Sequence, residues 1–241
     1  MFTHYRTQGF ILKKTDSGEA DRIFTIYTKD FGKLELLAKA ERKINSKLRA
    51  GLELFYLSEI EFIQGKSHKT LTDAILINSF KNLRKNLKKL SVAYKISDVI
   101  DNLIKGQEAD EKIWQLLNDV FEKLNNLSAV GSHLLLVYHY FFWNFFSVLG
   151  YELELYRCSL CQKKLIPGSI YFSPKEGGLI CQNCLKSVKS IKEVDPETIK
   201  ILRIILKKDW SLLSKLKIEK LHLESLAAIS EEWYRFTLNN L

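Results

Sequence analysis

The chain has 241 residues, of which 46% are hydrophobic, 27% are charged and only three are proline. That composition supports a packed core and excludes wholesale disorder, and the length suits one large domain or two to three small ones. A formal net charge of +9 favours polyanionic partners, nucleic acid or an anionic membrane surface, without choosing between them.

The first ten residues, MFTHYRTQGF, lack the apolar run and small-residue cleavage site of a signal peptide. The next seventy read as β structure. Gly9–Lys14 is an extended start, and Arg22–Thr28 is rich in β-branched and aromatic residues. Lys33–Ala40 alternates, Leu52–Ile63 ends in clear alternation around Glu59 and Glu61, and Thr70–Asn78 is a fifth run. Turn residues separate them at Asp16-Ser17-Gly18, Asp30-Phe31-Gly32 and Gln64-Gly65-Lys66. Five short strands in eighty residues predict a small closed barrel of OB type, with an SH3-like barrel as the alternative from strand count alone.

After Ser79 the period becomes helical. Val92, Ile96, Val99, Ile100 and Leu103 share one face, as do Ile113, Leu117, Val120, Phe121 and Leu124. His133–Leu149 is apolar nearly all round and reads as a central buried helix, too short to cross a membrane. Asp195-Pro196 reads as N-cap and first helical residue, with Ile199, Leu202, Ile205 and Leu206 following on its face. Ile218–Leu238 is a final helix. The predicted class is α+β: an OB-fold domain over 1–80, a helical domain in two parts, 81–154 and 191–241, and an irregular element inserted at 155–190. With no leader and no spanning segment, a cytoplasmic location is expected.

The four cysteines form two pairs, Cys158-Ser159-Leu160-Cys161 and Cys181-Gln182-Asn183-Cys184. Two residues between cysteines let both thiolates of a turn face a common centre, and two such turns complete a tetrahedron around one Zn²⁺. A redox dithiol would need only one pair, and disulfides are disfavoured in a reducing compartment. Four protein thiolates leave no open coordination position, so the expected zinc is structural rather than catalytic. Arg157, Lys163, Lys164, Lys175, Lys186, Lys189 and Lys192 surround it against one acid, Glu176. They read equally as a DNA contact surface or as a solvated balance to thiolate charge.

Two basic segments stand out. Lys39, Arg42, Lys43, Lys47 and Arg49 lie between the third and fourth strands with only Glu41 against them. Lys81, Arg84, Lys85, Lys88, Lys89 and Lys95 follow the barrel, with no acid from Phe80 to Ser97. A charge run is usually a solvated helix face. Two of them flanking one OB barrel instead suggest a groove that tracks phosphates, with Tyr5, Phe10, Phe24, Tyr27, Phe55 and Tyr56 as aromatics available for base stacking. The sequence contains no P-loop, HExxH or GxSxG motif, and His133 and His139 lack metal-pair spacing, so no enzymatic activity is expected.

These pieces resemble the RecO family of bacterial recombinational repair mediators along essentially the whole chain. Ser17-Gly18-Glu19-Ala20-Asp21-Arg22-Ile23 resembles its Gly-Glu-x-Asp-Arg turn. Phe31-Gly32-Lys33-Leu34 and Ala38-Lys39-Ala40-Glu41-Arg42-Lys43 resemble its Gly-x-Leu and Ala-Lys-Gly-x-Arg segments, with Ala40 standing where the family carries Gly. Ser46-Lys47-Leu48-Arg49-Ala50-Gly51-Leu52 continues the match, and Gly177-Gly178 before Cys181 resembles its zinc element. The resemblance implies binding of single- and double-stranded DNA and annealing of complementary strands. It also implies partnership with RecR and with the C-terminal tail of single-stranded DNA-binding protein (SSB) in loading RecA, and a nucleoid-associated location. Carried over, Arg22, Lys39, Arg42, Lys43, Lys47 and Arg49 become barrel-side DNA contacts. Two rivals stand beside it: a zinc-ribbon, OB-fold RNA-binding factor of translation or ribosome assembly, and a nuclease or transferase.

Overall fold

In the computed structural model, residues 3–65, 68–127, 133–166, 168–188 and 191–240 are described. The turn residue Lys66 and the finger residue Lys189 fall outside those ranges. The chain forms two compact units, Met1–Ala129 and Val130–Leu241.

The first unit is a closed barrel followed by helices. Strands β1 (His4–Ser17), β2 (Asp21–Thr28), β3 (Gly32–Ala38), β4 (Leu57–Gln64) and β5 (Lys69–Asn78) close in the order β1-β2-β3-β5-β4 and back to β1. All neighbours are antiparallel except β3 and β5, whose short parallel contact pairs Leu36 with Lys69 and Leu37 with Thr70. This is the five-stranded OB arrangement. Alternation explains the interior: Phe24, Ile26, Leu34, Leu36, Ile60, Phe62 and Leu71 point inward and are essentially solvent-free.

Strand β1 is longer than Gly9–Lys14 because its first half pairs β4 and its second half pairs β2. A bulge between Ile11 and Lys13 lets it turn that corner. There Phe10, Ile11 and Leu12 are all buried, although they face alternately. Ile11 enters the barrel, while Phe10 packs outward on Phe80, Trp114 and Phe121. The fourth strand starts at Leu57 and not at Leu52. Phe55 takes a left-handed conformation (φ 64°), and its amide donates to Ile11 O at 2.8 Å, so the chain before Leu57 cannot extend.

The helices of this unit are α1 (Lys81–Arg84), α2 (Leu87–Leu103) and α3 (Glu111–Asn126). Asn86 and Asp110 cap α2 and α3 by accepting two amides each. They pack on the barrel: Ser97 donates to Leu12 O at 2.7 Å, and Asp101 receives Lys13 and Lys33 at 2.9 and 3.2 Å. Gly32 is required where it stands. Its φ is +63°, and a Cβ there would lie 2.3 Å from Glu108 O.

The second unit is built on α4 (His133–Val148), nearly all of whose residues from Leu134 to Phe146 are buried. Its polar groups face neighbours. Asn144 donates to Ile205 O at 3.0 Å on α5 (Pro196–Leu206), and His139 Nδ1 lies 3.1 Å from Ser230 Oγ on α7 (Lys220–Leu238). The expected N-cap is present, since Asp195 accepts the Thr198 amide at 2.9 Å. A short α6 (Trp210–Leu213) and a three-stranded sheet of order β7-β6-β8, from Gly178–Cys181, Ile170–Ser173 and Lys192–Val194, complete the unit. Among the described residues no helix is long and apolar enough to cross a membrane.

Candidate nucleic-acid interface and metal centre

The first basic segment is the connector from Lys39 to Tyr56. Its base is fixed by polar contacts: the Ala40 amide donates to Asp21 Oδ1 (2.7 Å) and the Arg42 amide to Ala20 O (3.0 Å). Its far end is fixed by apolar ones, with Leu52 in the barrel core and Leu48 and Tyr56 packed against it. Between these anchors Lys39, Lys43, Lys47 and Arg49 are exposed, the last two on the 3-10 turn Lys47–Gly51.

Arg22 and Arg42 behave differently. Arg22 donates Nε to Asp16 (2.7 Å) and Nη1 to Glu41 (3.0 Å), whose side chain is only 2% exposed. The hydrogen bond from Arg22 holds the Asp16 carboxyl below its ordinary value. Arg42 also reaches Asp16 at 3.5 Å. Arg22, expected from the sequence to be a DNA contact, is thus engaged by two carboxylates, one of them buried.

In the second segment Lys81, Lys85 and Lys88 are exposed. Lys89 is buried, donates to Asn125 O at 3.0 Å, and burial lowers its pKa. It too belongs to the fold rather than to a surface, because the helical period turns it under α2. Arg84 lies 4.5 Å over the Tyr56 ring and reaches Glu53 at 3.5 Å, while Lys14 reaches the same carboxylate at 3.1 Å. Glu53 and Tyr56 thus bring the two basic segments together, a juxtaposition no sequence spacing reveals. Among the described residues, Lys39, Lys43, Lys47, Arg49, Lys81, Lys85 and Lys88 have no carboxylate partner.

The barrel aromatics do not offer stacking platforms as expected. Phe10, Phe24, Tyr27 and Phe55 are fully buried. Tyr5 packs on Phe31 and Phe62, and Tyr56 carries Arg84. The Tyr27 hydroxyl lies under the start of α3 beside Asp110 O, and burial pushes its pKa up to about 12. None of these six rings is exposed.

The four cysteine Sγ atoms lie within 4.8 Å of one another, with Cys161 and Cys181 at 3.8 Å. A tetrahedron with metal–sulfur bonds of about 2.3 Å has sulfur–sulfur edges of about 3.8 Å, so the donor set fits one thiophilic ion. Gln162, left-handed at φ 59°, closes the first turn by donating its amide to Cys158 O at 2.9 Å. The second pair sits where β7 meets the 3-10 turn Gln182–Ser187. Gly178 is packed so tightly that a Cβ would meet Glu154 O at 2.5 Å. Burial resists ionisation of Cys158, but the amides of Cys161, Cys181 and Leu160 outweigh it and bring the thiol down to about 6. Cys184 is pushed up to about 12 by burial and by hydrogen bonds with the other three thiols. Packed thiols cannot all ionise unless a cation joins them. Among the described residues, no other group of His, Cys, Asp and Glu side chains is placed to hold a metal.

Two family models match, "Recombination protein O N terminal" over residues 1–80 and "Recombination protein O C terminal" over residues 84–240. The chain belongs to the RecO family. Proteins named DNA repair protein RecO are similar along most of its length. That of Dehalococcoides mccartyi strain BAV1 is 35% identical over 234 residues, covering 97% of this chain and 90% of the relative. That of Acetivibrio thermocellus is 28% identical over 232 residues, 96% and 91% of the two chains. That of Caldanaerobacter subterraneus is 27% identical over 230 residues, 95% and 91%. This RecO-family chain therefore carries the family's two parts in order, and DNA repair is the setting in which its cationic surface and thiol cluster are to be understood.

Proposed function

We propose that the chain is a cytoplasmic, nucleoid-associated recombination mediator that binds single- and double-stranded DNA and anneals complementary strands. In this reading it assists RecA loading together with RecR on strands coated by SSB, whose C-terminal tail it contacts. It needs no catalytic centre. Two strands repel through their phosphates, and a protein that neutralises both lowers that repulsion and raises the local strand concentration, with no nucleotide hydrolysed. The observation that carries the reading is the convergence of two cationic segments around Glu53 and Tyr56, most of whose exposed lysines have no carboxylate partner. The interface consists of Lys39, Lys43, Lys47, Arg49, Lys81, Lys85 and Lys88, with Arg42 and Arg84 at its margin. The ion held by Cys158, Cys161, Cys181 and Cys184 is one structural Zn²⁺.

The test is strand annealing at rising salt. Affinity for a single strand should fall by roughly 0.7 log units per phosphate neutralised for each decade of salt. Lys43→Glu with Lys47→Glu should slow annealing at least tenfold and flatten the salt slope. Annealing that is insensitive to salt, or unchanged in the charge-reversed protein, refutes the proposal.

A further inference from the structure

The turn that carries the first cysteine pair presents a second surface. Residues 156–158 and 163–165 form a small hairpin, in which the Cys158 amide donates to Lys163 O and the Leu165 amide to Tyr156 O, each at 2.9 Å, and Arg157 bridges Lys164. Glu154 fixes the start of the hairpin, since its carboxylate accepts the amides of Tyr156 (2.7 Å) and Arg157 (2.9 Å). Arg157, Lys163 and Lys164 are exposed, and among the described residues none of them is ion-paired.

Tyr156 opens the hairpin and is 51% exposed; the register puts Lys163 on its side of the ribbon and Arg157 and Lys164 on the other. Arg203 of α5 lays its guanidinium 4.5 Å over one face of the ring and is itself anchored by donating Nε to Leu155 O at 3.2 Å. One face of the ring is thus backed, and the half-exposed ring leaves its other face to solvent. A fixed aromatic face on a ribbon of unpaired cations matches an unpaired base with its flanking phosphates. A duplex cannot use the ring, because its bases stack on one another. An acidic peptide would engage the cations without needing the flat face.

We propose that Tyr156, backed by Arg203 and carried on the same hairpin as the exposed cations Arg157, Lys163 and Lys164, is a second contact site, specific for single-stranded nucleic acid through base stacking. The site rests on the DNA-binding reading above and supplies that reading with a cationic face remote in sequence from the barrel segments.

The experiment is equilibrium binding of the full, zinc-loaded chain to three labelled probes: oligothymidine, an abasic deoxyribose-phosphate strand of equal length, and a duplex. Tyr156→Ala should weaken oligothymidine binding about fivefold or more, since one stacked base contributes ~1–3 kcal/mol. It should leave the abasic strand and the duplex within twofold of wild type (on the order of 0.4 kcal/mol). Tyr156→Phe should retain binding. Lys163→Ala with Lys164→Ala should weaken both single strands and lower the salt slope by roughly one. Zinc content equal to wild type certifies the fold; if Tyr156→Ala loses zinc, Tyr156→Leu keeps the bulk and removes the plane. Equal loss on oligothymidine and abasic strands, or no loss on either, overturns the proposal. If wild type binds no probe, the DNA-binding reading itself fails.

Discussion

Arg22 provides the sharpest test of how electrostatics and fold interlock. Its guanidinium is 23% exposed and contacts Glu41, 2% exposed, at 3.0 Å. In Arg22→Ala, Glu41 keeps its burial and loses its counter-ion. Breaking a buried pair from one side costs about 3–5 kcal/mol, and water access at Arg22 places the loss near the lower end. The second contact, to Asp16, is half-exposed and adds no more than ~1 kcal/mol. At about 3 °C per kcal/mol for a unit of this size, Arg22→Ala should lower the melting temperature by roughly 9 °C in a circular-dichroism melt. Arg22→Met combined with Glu41→Leu removes both charges and should recover most of that loss. Below the melting range, Arg22→Ala should bind DNA within about twofold of wild type, because its charge is already spent on carboxylates. A shift under about 3 °C, or a double variant no better than the single one, would show that the pair is not what holds the connector base.

Three further outcomes follow from other contacts. Asp101 holds Lys13 and Lys33; burial opposes its ionisation, but these hydrogen bonds outweigh it and its pKa is lowered from 3.8. A depressed folded value means stability present above the unfolded value and lost as pH falls through the folded one. The melting-temperature gap between wild type and Asp101→Asn should therefore be full near neutral pH and close below about pH 3.8; a pH-independent gap contradicts this. Ala40 is left-handed at φ 53°, so Ala40→Gly should stabilise the barrel unit by up to ~1 kcal/mol in urea unfolding, and destabilisation would refute the strain argument. Metal analysis should give one zinc per chain, and Cys181→Ser should raise hydrogen exchange in 155–188 far more than in the barrel strands, because metal binding there acts as local folding free energy.

Much was legible in the sequence because periodicity and spacing are local. The β-branched and aromatic content of Arg22–Thr28 located β2, alternation in Lys33–Ala40 located β3, and the Asp195-Pro196 cap located the start of α5. The paired C-x2-C turns named all the members of the thiol cluster. The start of β4 was misjudged, because Phe55 reads as a strand former but closes a hydrogen bond to Ile11 in a left-handed conformation. Lys89 was misjudged because charge was read without the helical phase, in which it falls on the face that carries Val92 and Ile96.

Sequence alone thus determined the barrel-then-helix plan, the membership of the cysteine cluster and the excess of positive charge, since each depends on residue type at short separation. Only the tertiary structure decided which cations are left exposed and which neutralise an acid. Arg22 meets Glu41, Arg84 meets Glu53, and Arg203 backs Tyr156 across separations of 19, 31 and 47 residues. Coulomb and stacking energies depend on distance in space, and the distance between such residues is set by the closure of the barrel and the packing of the helices.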